Sequence, residues 1–327
     1  MIVLFIGIIV SVAGFLFVQN LVWQEERANF RLIADRQGFA IEQLLTRNIE
    51  TVQSLGGLFD ASEVVSRTEF TIFARQLISR VEGVQALSWN PRVSGGRLAH
   101  LRRLARREGM REYEFYERDA NGQRQRLGDR DDYTVVLYID PLENNKAALG
   151  YDVGSNRKRL AALNKARDTG QIVATAPINL VQESGNQPAI LVFRPVYISG
   201  VGLNTVAERR QAIKGYTVGV YRVGDILDVA IRDVGSFQTH IALSDRTDGV
   251  DTQLPLYRSS VAGEVDTRSS GLRASGTRRL VADTVLNVAG RRWVLNIIPA
   301  APLVTRIERY SPWAFLVSVL ALSLLLY

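Results

Sequence analysis

WQEERANFRLIADRQGFAIEQLLTRNIETVQSLGGLF, residues 23–59, decides the architecture of this chain. The stretch holds no proline, and Gly38 is its only glycine before Gly56. Ile41, Leu44, Leu45, Ile49, Val52, Leu55 and Phe59 recur at spacings of three and four, the period of one helix face. The pattern predicts a single long helix from Trp23 to Leu58. Such a stripe has two uses: it packs on its own domain, or it pairs with the same helix of a second chain. Leu32, Ile33 and Ile41 lie close to the preceding apolar segment with little else to cover them, which favours a homodimer through this helix.

Upstream, Ile2–Val18 carries no charged residue. Extended to Trp23, it supplies the roughly 20 apolar residues that cross a bilayer, with Trp23 suited to the interface. It lacks a basic leading region and a small-x-small cleavage site before Gln24, so it reads as an anchor and not a removable signal. At the other end Ser311–Tyr327 is again uncharged. Pro312 suits a first helical turn and Trp313 a water boundary. The expected plan is a transmembrane helix over 1–23, a stalk helix over 24–60, a membrane-distal lobe over 61–235, a membrane-proximal lobe over 236–305, and the start of a second span over 311–327. The polar body between the spans is roughly 290 residues, enough for about two domains. That is the layout of a receptor's input module in an inner membrane, with the body periplasmic or extracellular and an output domain expected beyond Tyr327.

The chain has no cysteine, which excludes disulfides and thiolate sites. Forty basic residues against 33 acidic give a net charge of +7, suited to lipid headgroups or an acidic partner. The arginines are dispersed and no nucleic-acid-binding motif occurs, so nucleic acid is not an expected partner.

Along the body, Ser66-Arg67-Thr68-Glu69 is a capping box that opens a second helix bearing Phe70, Phe73, Leu77 and Val81. Val84–Trp89 reads as a strand closed by Asn90-Pro91. Arg97–Glu108 reads as a helix whose arginines form a solvated face or contact headgroups or an acidic partner. Tyr113–Glu117 and Tyr133–Ile139 read as strands, separated by a turn at Asn121-Gly122. Ser155 is expected to cap a helix over 156–169 that ends at Gly170. Strands follow at Ile172–Ile178, Ala189–Tyr197 and Gly215–Val223, the first two joined by a turn over 184–188, and then a helix at Asp225–Asp233. His240–Leu243, Leu280–Val288 and Arg291–Ile298 form a second set of strands, the last two joined by a tight hairpin at Ala289-Gly290. A Ser-, Gly- and Arg-rich loop is expected over 259–279, and Pro299 and Pro302 mark the exit to the membrane. The order predicts an α+β fold: a stalk helix, two lobes with antiparallel sheets, and two flanking spans.

Little chemistry stands out. His100 and His240 have no metal-binding partners at suitable spacing, and no phosphate loop or Gly-x-Ser-x-Gly elbow occurs. Asp129-Arg130-Asp131-Asp132 lacks the alternating ligands of a calcium loop and reads as a solvated turn. No catalytic residue, metal or cofactor is expected.

The informative block is 133–221. It contains Tyr138-Ile139-Asp140-Pro141, Asn144-Asn145, Leu149-Gly150-Tyr151-Asp152, Ala162-Leu163, Ala166-Arg167-Asp168-Thr169-Gly170, Ala176-Pro177, Leu180-Val181-Gln182 and Phe193-Arg194-Pro195-Val196-Tyr197. In this order and spacing the motifs resemble the CHASE domain, the extracytoplasmic sensor of receptors that include the cytokinin receptors, over about 65–235. The resemblance implies two PAS-like lobes on a stalk helix, usually dimeric, with a ligand in the distal lobe. It implies an output that is a histidine kinase or a cyclic di-GMP synthase or hydrolase. In the cytokinin branch an aspartate accepts hydrogen bonds from an adenine ring, and Asp152 matches it. Ala174, Thr175 and Phe193 match pocket-lining positions, with Tyr138 and Leu149 as further candidates.

Independently, an ionised Asp152 offers only acceptors, which suits a guest with N–H donors. It equally suits a helix cap. The Phe193-Arg194 pair is bulkier and more charged than a planar adenine slot, so the expected ligand is a small organic molecule with donors, adenine- or cytokinin-like being one form. Two other functions fit the residues. One is a module that binds an envelope or periplasmic protein through the arginines of 102–107. The other is a tethered enzyme, for which no acid, base or metal cluster is evident.

Overall fold

The computed structural model describes residues 2–181, 187–234, 239–247, 249, 256–259, 280–300, 303 and 306–325. Residues 184–186 of the turn expected over 184–188, residues 260–279 of the loop expected over 259–279, and Pro302 lie outside the described residues.

Helix α1, Ile2–Ala61, is continuous from the apolar segment through the stalk, about 90 Å at 1.5 Å per residue. It buries Phe30, Ala34, Ile41, Leu44, Leu45, Val52, Leu55 and Phe59 against the rest of its own chain. Of the two uses foreseen for the stripe, packing on its own domain is the one observed. Leu32 and Phe39 remain exposed. Helix α2, Arg67–Ile78, opens with both halves of the Ser66–Glu69 capping box.

Strand β1, Val84–Ser94, is longer than expected: it runs straight through Asn90-Pro91. Pro91 pairs with Gly215 on one side, and its carbonyl accepts from Val135 N on the other. Its missing N–H therefore faces the irregular stretch 135–137, where no ladder bond is forfeited. That stretch splits the expected strand 133–139 into β4, Asp132–Thr134, and β5, Tyr138–Asp140, both paired with β1. A 3₁₀ turn at Gly95–Arg97 leads into α3, Leu98–Arg107. The strand expected at 113–117 is reduced to β2, Glu117–Arg118, paired with β3, Arg124–Gln125. Tyr116 instead makes a single parallel bridge to Tyr151.

Helix α4, Arg157–Thr169, is capped by Asn156 and not by Ser155; the Asn156 side chain accepts from the amides of Lys158 and Arg159. Gly170 closes the helix in the left-handed conformation, as expected. Next come β6, Val173–Ala174; β7, Ala189–Tyr197; α5, Val206–Ala212; β8, Ile213–Arg222; and α6, Val223–Val234. The major sheet has the order β4-β1-β8-β7-β6, with β5 also on β1. Both faces are covered, so β7 and β8 are nearly continuous apolar runs. Ile190, Val192 and Tyr221 face the stalk side, while Leu191, Phe193, Val218 and Val220 face α4. Stalk and sheet are also tied by Tyr221 Oη donating to Asn48 O at 2.7 Å and Thr217 Oγ1 donating to Val52 O at 3.2 Å.

The second sheet comprises β9, Thr239–Asp245; β10, Tyr257–Arg258; β11, Ala282–Val288; and β12, Arg291–Pro299, in the order β10-β9-β12-β11. One face is buried, so its strands alternate. Gln37 on α1 donates to Thr239 Oγ1 at 2.9 Å. Helix α7, Arg306–Leu325, starts before the expected boundary, which places Pro312 inside it. It packs on the first part of α1, with Phe15 and Trp313 rings 5.0 Å apart. The fold is α+β with antiparallel sheets, as the sequence order predicts.

Candidate functional site

The α4 face of the major sheet holds a small, partly enclosed void of about 30 Å³. Its sheet wall is Ser88 and Asn90 of β1, Leu191 of β7, and Val218 and Val220 of β8. Ile139 of β5 adjoins that wall, and the rest of the lining is Val136, Ala148, Tyr151, Val153, Arg159, Leu180 and Val181. Most of this lining is aliphatic, with four polar side chains among it. Ser88 Oγ donates to Asn90 Oδ1 at 2.9 Å. Arg159, in the first turn of α4, is only 4% exposed. Its Nη2 donates to Asn179 O at 3.0 Å, and its guanidinium carbon lies 5.0 Å from the Tyr151 ring centroid. Its Nε is buried without a hydrogen-bond partner among the described residues. Burial pushes the Arg159 guanidinium below its ordinary pKa.

None of the six residues expected to touch ligand lines this void. Asp152 is fully buried. Its Oδ2 accepts from Arg130 Nη2 at 2.7 Å, and its Oδ1 accepts the amides of Thr134 and Gly154, each at 3.0 Å. The Gly154 bond caps a 3₁₀ turn, Val153–Ser155. Burial pushes the Asp152 carboxyl upward, and the Thr134 amide, Arg130 and the Gly154 amide counter it. Arg130 also pairs with Glu117. At Glu117 burial opposes ionisation, yet the bonds from Arg130, Gly128 and Gln125 together hold its carboxyl below the usual range. The Asp129–Asp132 segment, expected to be a solvated turn, thus supplies the counterion of two acids.

Thr175 Oγ1 accepts from Leu191 N at 3.1 Å, bracing the strand whose side chain reaches the void. Phe193 lies on the same face, packed edge-on to Tyr216. Tyr138 and Ala174 belong to the stalk-side core, and Leu149 sits between the two cores. Asp152, Tyr138 and Leu149 are next in sequence to residues lining the void, although Tyr138, like Ala174, packs on the stalk side of the sheet. Those neighbours, Tyr151, Val153, Ile139 and Ala148, form part of its lining. Sequence reading passed over Ser88, Asn90 and Arg159. The available signal was Arg157-Lys158-Arg159, three cations at a helix N-terminus with no acid in the first turn.

The arginine-rich α3 is in part internally paired, since Arg102 and Arg106 both reach Glu114. Among the described residues no three His, Cys, Asp or Glu side chains group as a metal site.

The family model of the CHASE domain matches residues 63–257. The chain belongs to the CHASE family. Its body is therefore an extracellular sensing module. Hybrid signal transduction histidine kinase A of Dictyostelium discoideum is 24% identical over 277 residues, or 80% of this chain. The chain spans 13% of that kinase's length. An extracellular ligand-binding receptor from Desulfohalobium retbaense shares the fold, with a TM-score of 0.51 and 12% identity over 83% of this chain and 40% of that one. The ligand-binding domain of the Pseudomonas aeruginosa PAO1 amino-acid chemoreceptor PctC, in complex with GABA, gives a TM-score of 0.45 and 12% identity over 83% of this chain and 99% of that domain.

Proposed function

We propose that this CHASE chain is the small-molecule-sensing input module of a membrane receptor. The observation that carries the reading is the void at the α4 face, with Ser88, Asn90, Tyr151 and Arg159 set into an aliphatic lining. Burying a polar group without a hydrogen bond is costly, and Arg159 Nε is such a group among the described residues. A void of this size holds about one water. A larger guest enters as Tyr151, Leu180 and Val181 give way, and that displacement is what the sheet feels. Asp152, Thr175 and Phe193 serve by fixing the walls, and Asp152 holds Tyr151 and Val153 on either side of itself.

In this reading 61–235 is the membrane-distal lobe, 236–305 the proximal lobe, and α1 and α7 cross an inner membrane with the lobes on its periplasmic or outer side. Among the described residues α1 is long and apolar enough to span. Two copies pair along the stalk through Leu32 and Phe39. Guest-dependent preference for one lobe arrangement is what converts binding into signal. The output domain is a histidine kinase, the activity named for the Dictyostelium relative, with a cyclic di-GMP enzyme as the alternative.

The test is a metabolite screen by thermal unfolding of the detergent-solubilised chain. At least one compound should raise the midpoint, and Ala148→Leu, which fills the void, should cancel the gain. Absence of any stabilising compound would remove the sensing role. Reporter fusions in the body that register as cytosolic would remove the topology.

A further inference from the structure

We infer that the guest of this cavity carries a carboxylate, held by Arg159, on a short aliphatic body. This rests on the sensing role proposed above and narrows its ligand.

Charge accounting within the lobe singles out Arg159. The buried acids Glu117, Asp140 and Asp152 each have an arginine partner. Arg159 is as buried as they are, and among the described residues no carboxylate pairs with it. Its charged neighbour is another cation, Arg118. Arg118 donates to Gly122 O and Val181 O, and its own Nε is also buried without a partner. A buried cation with no counterion is expensive, and a ligand anion removes that cost.

The setting agrees. Arg159 lies in the first turn of α4, where the helix dipole favours an anion, yet Arg157, Lys158 and Arg159 all stand there with no acid among them. The Lys158 side chain is turned to Pro177 O at 2.8 Å, which leaves Arg159 as the cation that lines the void. Planar guanidinium suits carboxylate through paired N–H donors, and Nε is one such donor. Away from Arg159 the lining is Val136, Ile139, Val153, Leu191, Val218 and Val220, which suits methylene groups and not a second charge. Asn90 accepts from Ser88 through Oδ1, leaving its Nδ2 as a further donor. The polar side chains of the site thus supply mainly donors, and the guest must bring acceptors.

The experiment titrates the detergent-solubilised full chain with sodium acetate, propionate and butyrate, with propionamide as the neutral isostere and sodium chloride as the ionic-strength control. Thermal midpoint and calorimetric heat are the readouts. At least one carboxylate should raise the midpoint of the wild type in a saturable way, while propionamide and chloride do not. Arg159→Met should fold, since it loses the hydrogen bond to Asn179 O but no ion pair, and should bind that carboxylate about thirtyfold or more weakly. Should Arg159→Met fail to fold, Ala148→Leu fills the void while leaving Arg159 unchanged and must abolish the same response. Equal shifts from propionate and propionamide overturn the assignment. So does unchanged carboxylate affinity in Arg159→Met, or no carboxylate response in the wild type. Stabilisation of wild type and Arg159→Met alike by neutral compounds discards the carboxylate and leaves the sensing role standing. The sensing role itself falls only when the broader metabolite screen yields nothing.

Discussion

The main-chain N–H of Ala174 donates to the carbonyl oxygen of Ala289 at 2.8 Å. Ala174 is in the outermost strand of the major sheet, and Ala289 is at the tip of the β11–β12 hairpin, so this bond joins the two sheets. Ala174 N is next to Thr175, which braces Leu191 on the wall of the void. A shift at that wall therefore has a short main-chain route to the second sheet.

The hairpin tip is strained in a correctable way. Ala289 and Gly290 have φ of 46° and 78°, the positive values a two-residue type I′ turn needs at both positions. Alanine is a poor occupant there, and asparagine tolerates the conformation. Ala289→Asn should stabilise the chain by about 0.5–1 kcal/mol. A rise in the urea midpoint with unchanged slope checks it; a fall would show that the methyl group, not the turn, matters at this junction.

Gly150 should not tolerate a side chain. Its φ is 76°, and a β-carbon there would lie 2.0 Å from the carbonyl oxygen of Glu114. That oxygen is backbone and cannot swing away. Gly150→Ala should cost about 2–4 kcal/mol, combining steric overlap with a left-handed backbone. It should also loosen the adjacent Tyr151 wall. Denaturant unfolding measures the first effect and amide exchange at 150–153 the second.

Asp152 separates a structural from a recognition role. Asp152→Ala removes an ion pair and the one oxygen that accepts two backbone amides, and should destabilise by about 2–3 kcal/mol, moderated because Arg130 is one-third exposed and keeps Glu117. Asp152→Asn retains an acceptor for Thr134 and Gly154 and should recover about half of that loss. Equal losses in both variants would assign the whole effect to the charge.

The fold was largely legible because its strongest signals are periodic and local. The 3.6-residue stripe of the stalk, the Ser66–Glu69 box, Gly170 and the Ala289-Gly290 hairpin are each decided within a few residues. The errors sit where tertiary pairing overrides local rules. Asn90-Pro91 looks like a strand end until the irregular stretch 135–137 is placed opposite it. Ser155 looks like a cap until Asn156 takes the amides of Lys158 and Arg159. Of the void, only part of the lining was legible: Tyr151 and Val153 flank Asp152, Ile139 follows Tyr138 and Ala148 precedes Leu149. In a sheet covered on both faces the apolar run carries no alternation, so nothing in AILVFRPVY tells which of Leu191 and Val192 faces the void. Arg159 was passed over because Arg157-Lys158-Arg159 marks three cations at a helix N-terminus but does not say which of them is buried.

Acid should weaken the junction between α4 and α5. Asp168 is bonded by Arg210 and Arg167, and these partners hold its carboxyl well below the usual range against the opposing effect of burial. A depressed folded pKa gives stability that is complete above the unfolded value of about 3.9 and is lost as pH falls below it. Asp168→Asn should therefore cost up to about 1 kcal/mol at pH 7. The difference from wild type should hold down to about pH 4 and shrink below that. A gap that closes between pH 5 and 7 would place the titration on another group.

The apolar ends of α1 and α7 make the last expectation. Gly7, Ser11 and Gly14 form a small-residue face on α1, and Ser11 Oγ donates back to Gly7 O at 2.7 Å. A β-carbon on Gly7 would lie 2.6 Å from Ser323 Cβ, and one on Gly14 would lie 2.0 Å from the Phe315 ring. Small residues permit such close approach between helices in lipid. Because the chain has no cysteine, a designed pair has no background. Gly7→Cys with Ser323→Cys should oxidise readily to a disulfide after a slight separation of the helices, since bonded β-carbons sit about 3.5–4.5 Å apart. Ile8→Cys with Ser323→Cys, aimed from an exposed position, should not. The product should change gel mobility without doubling in mass. A doubled mass would mean that α7 packs on α1 of the other copy, and the route from lobe to membrane would then run between chains.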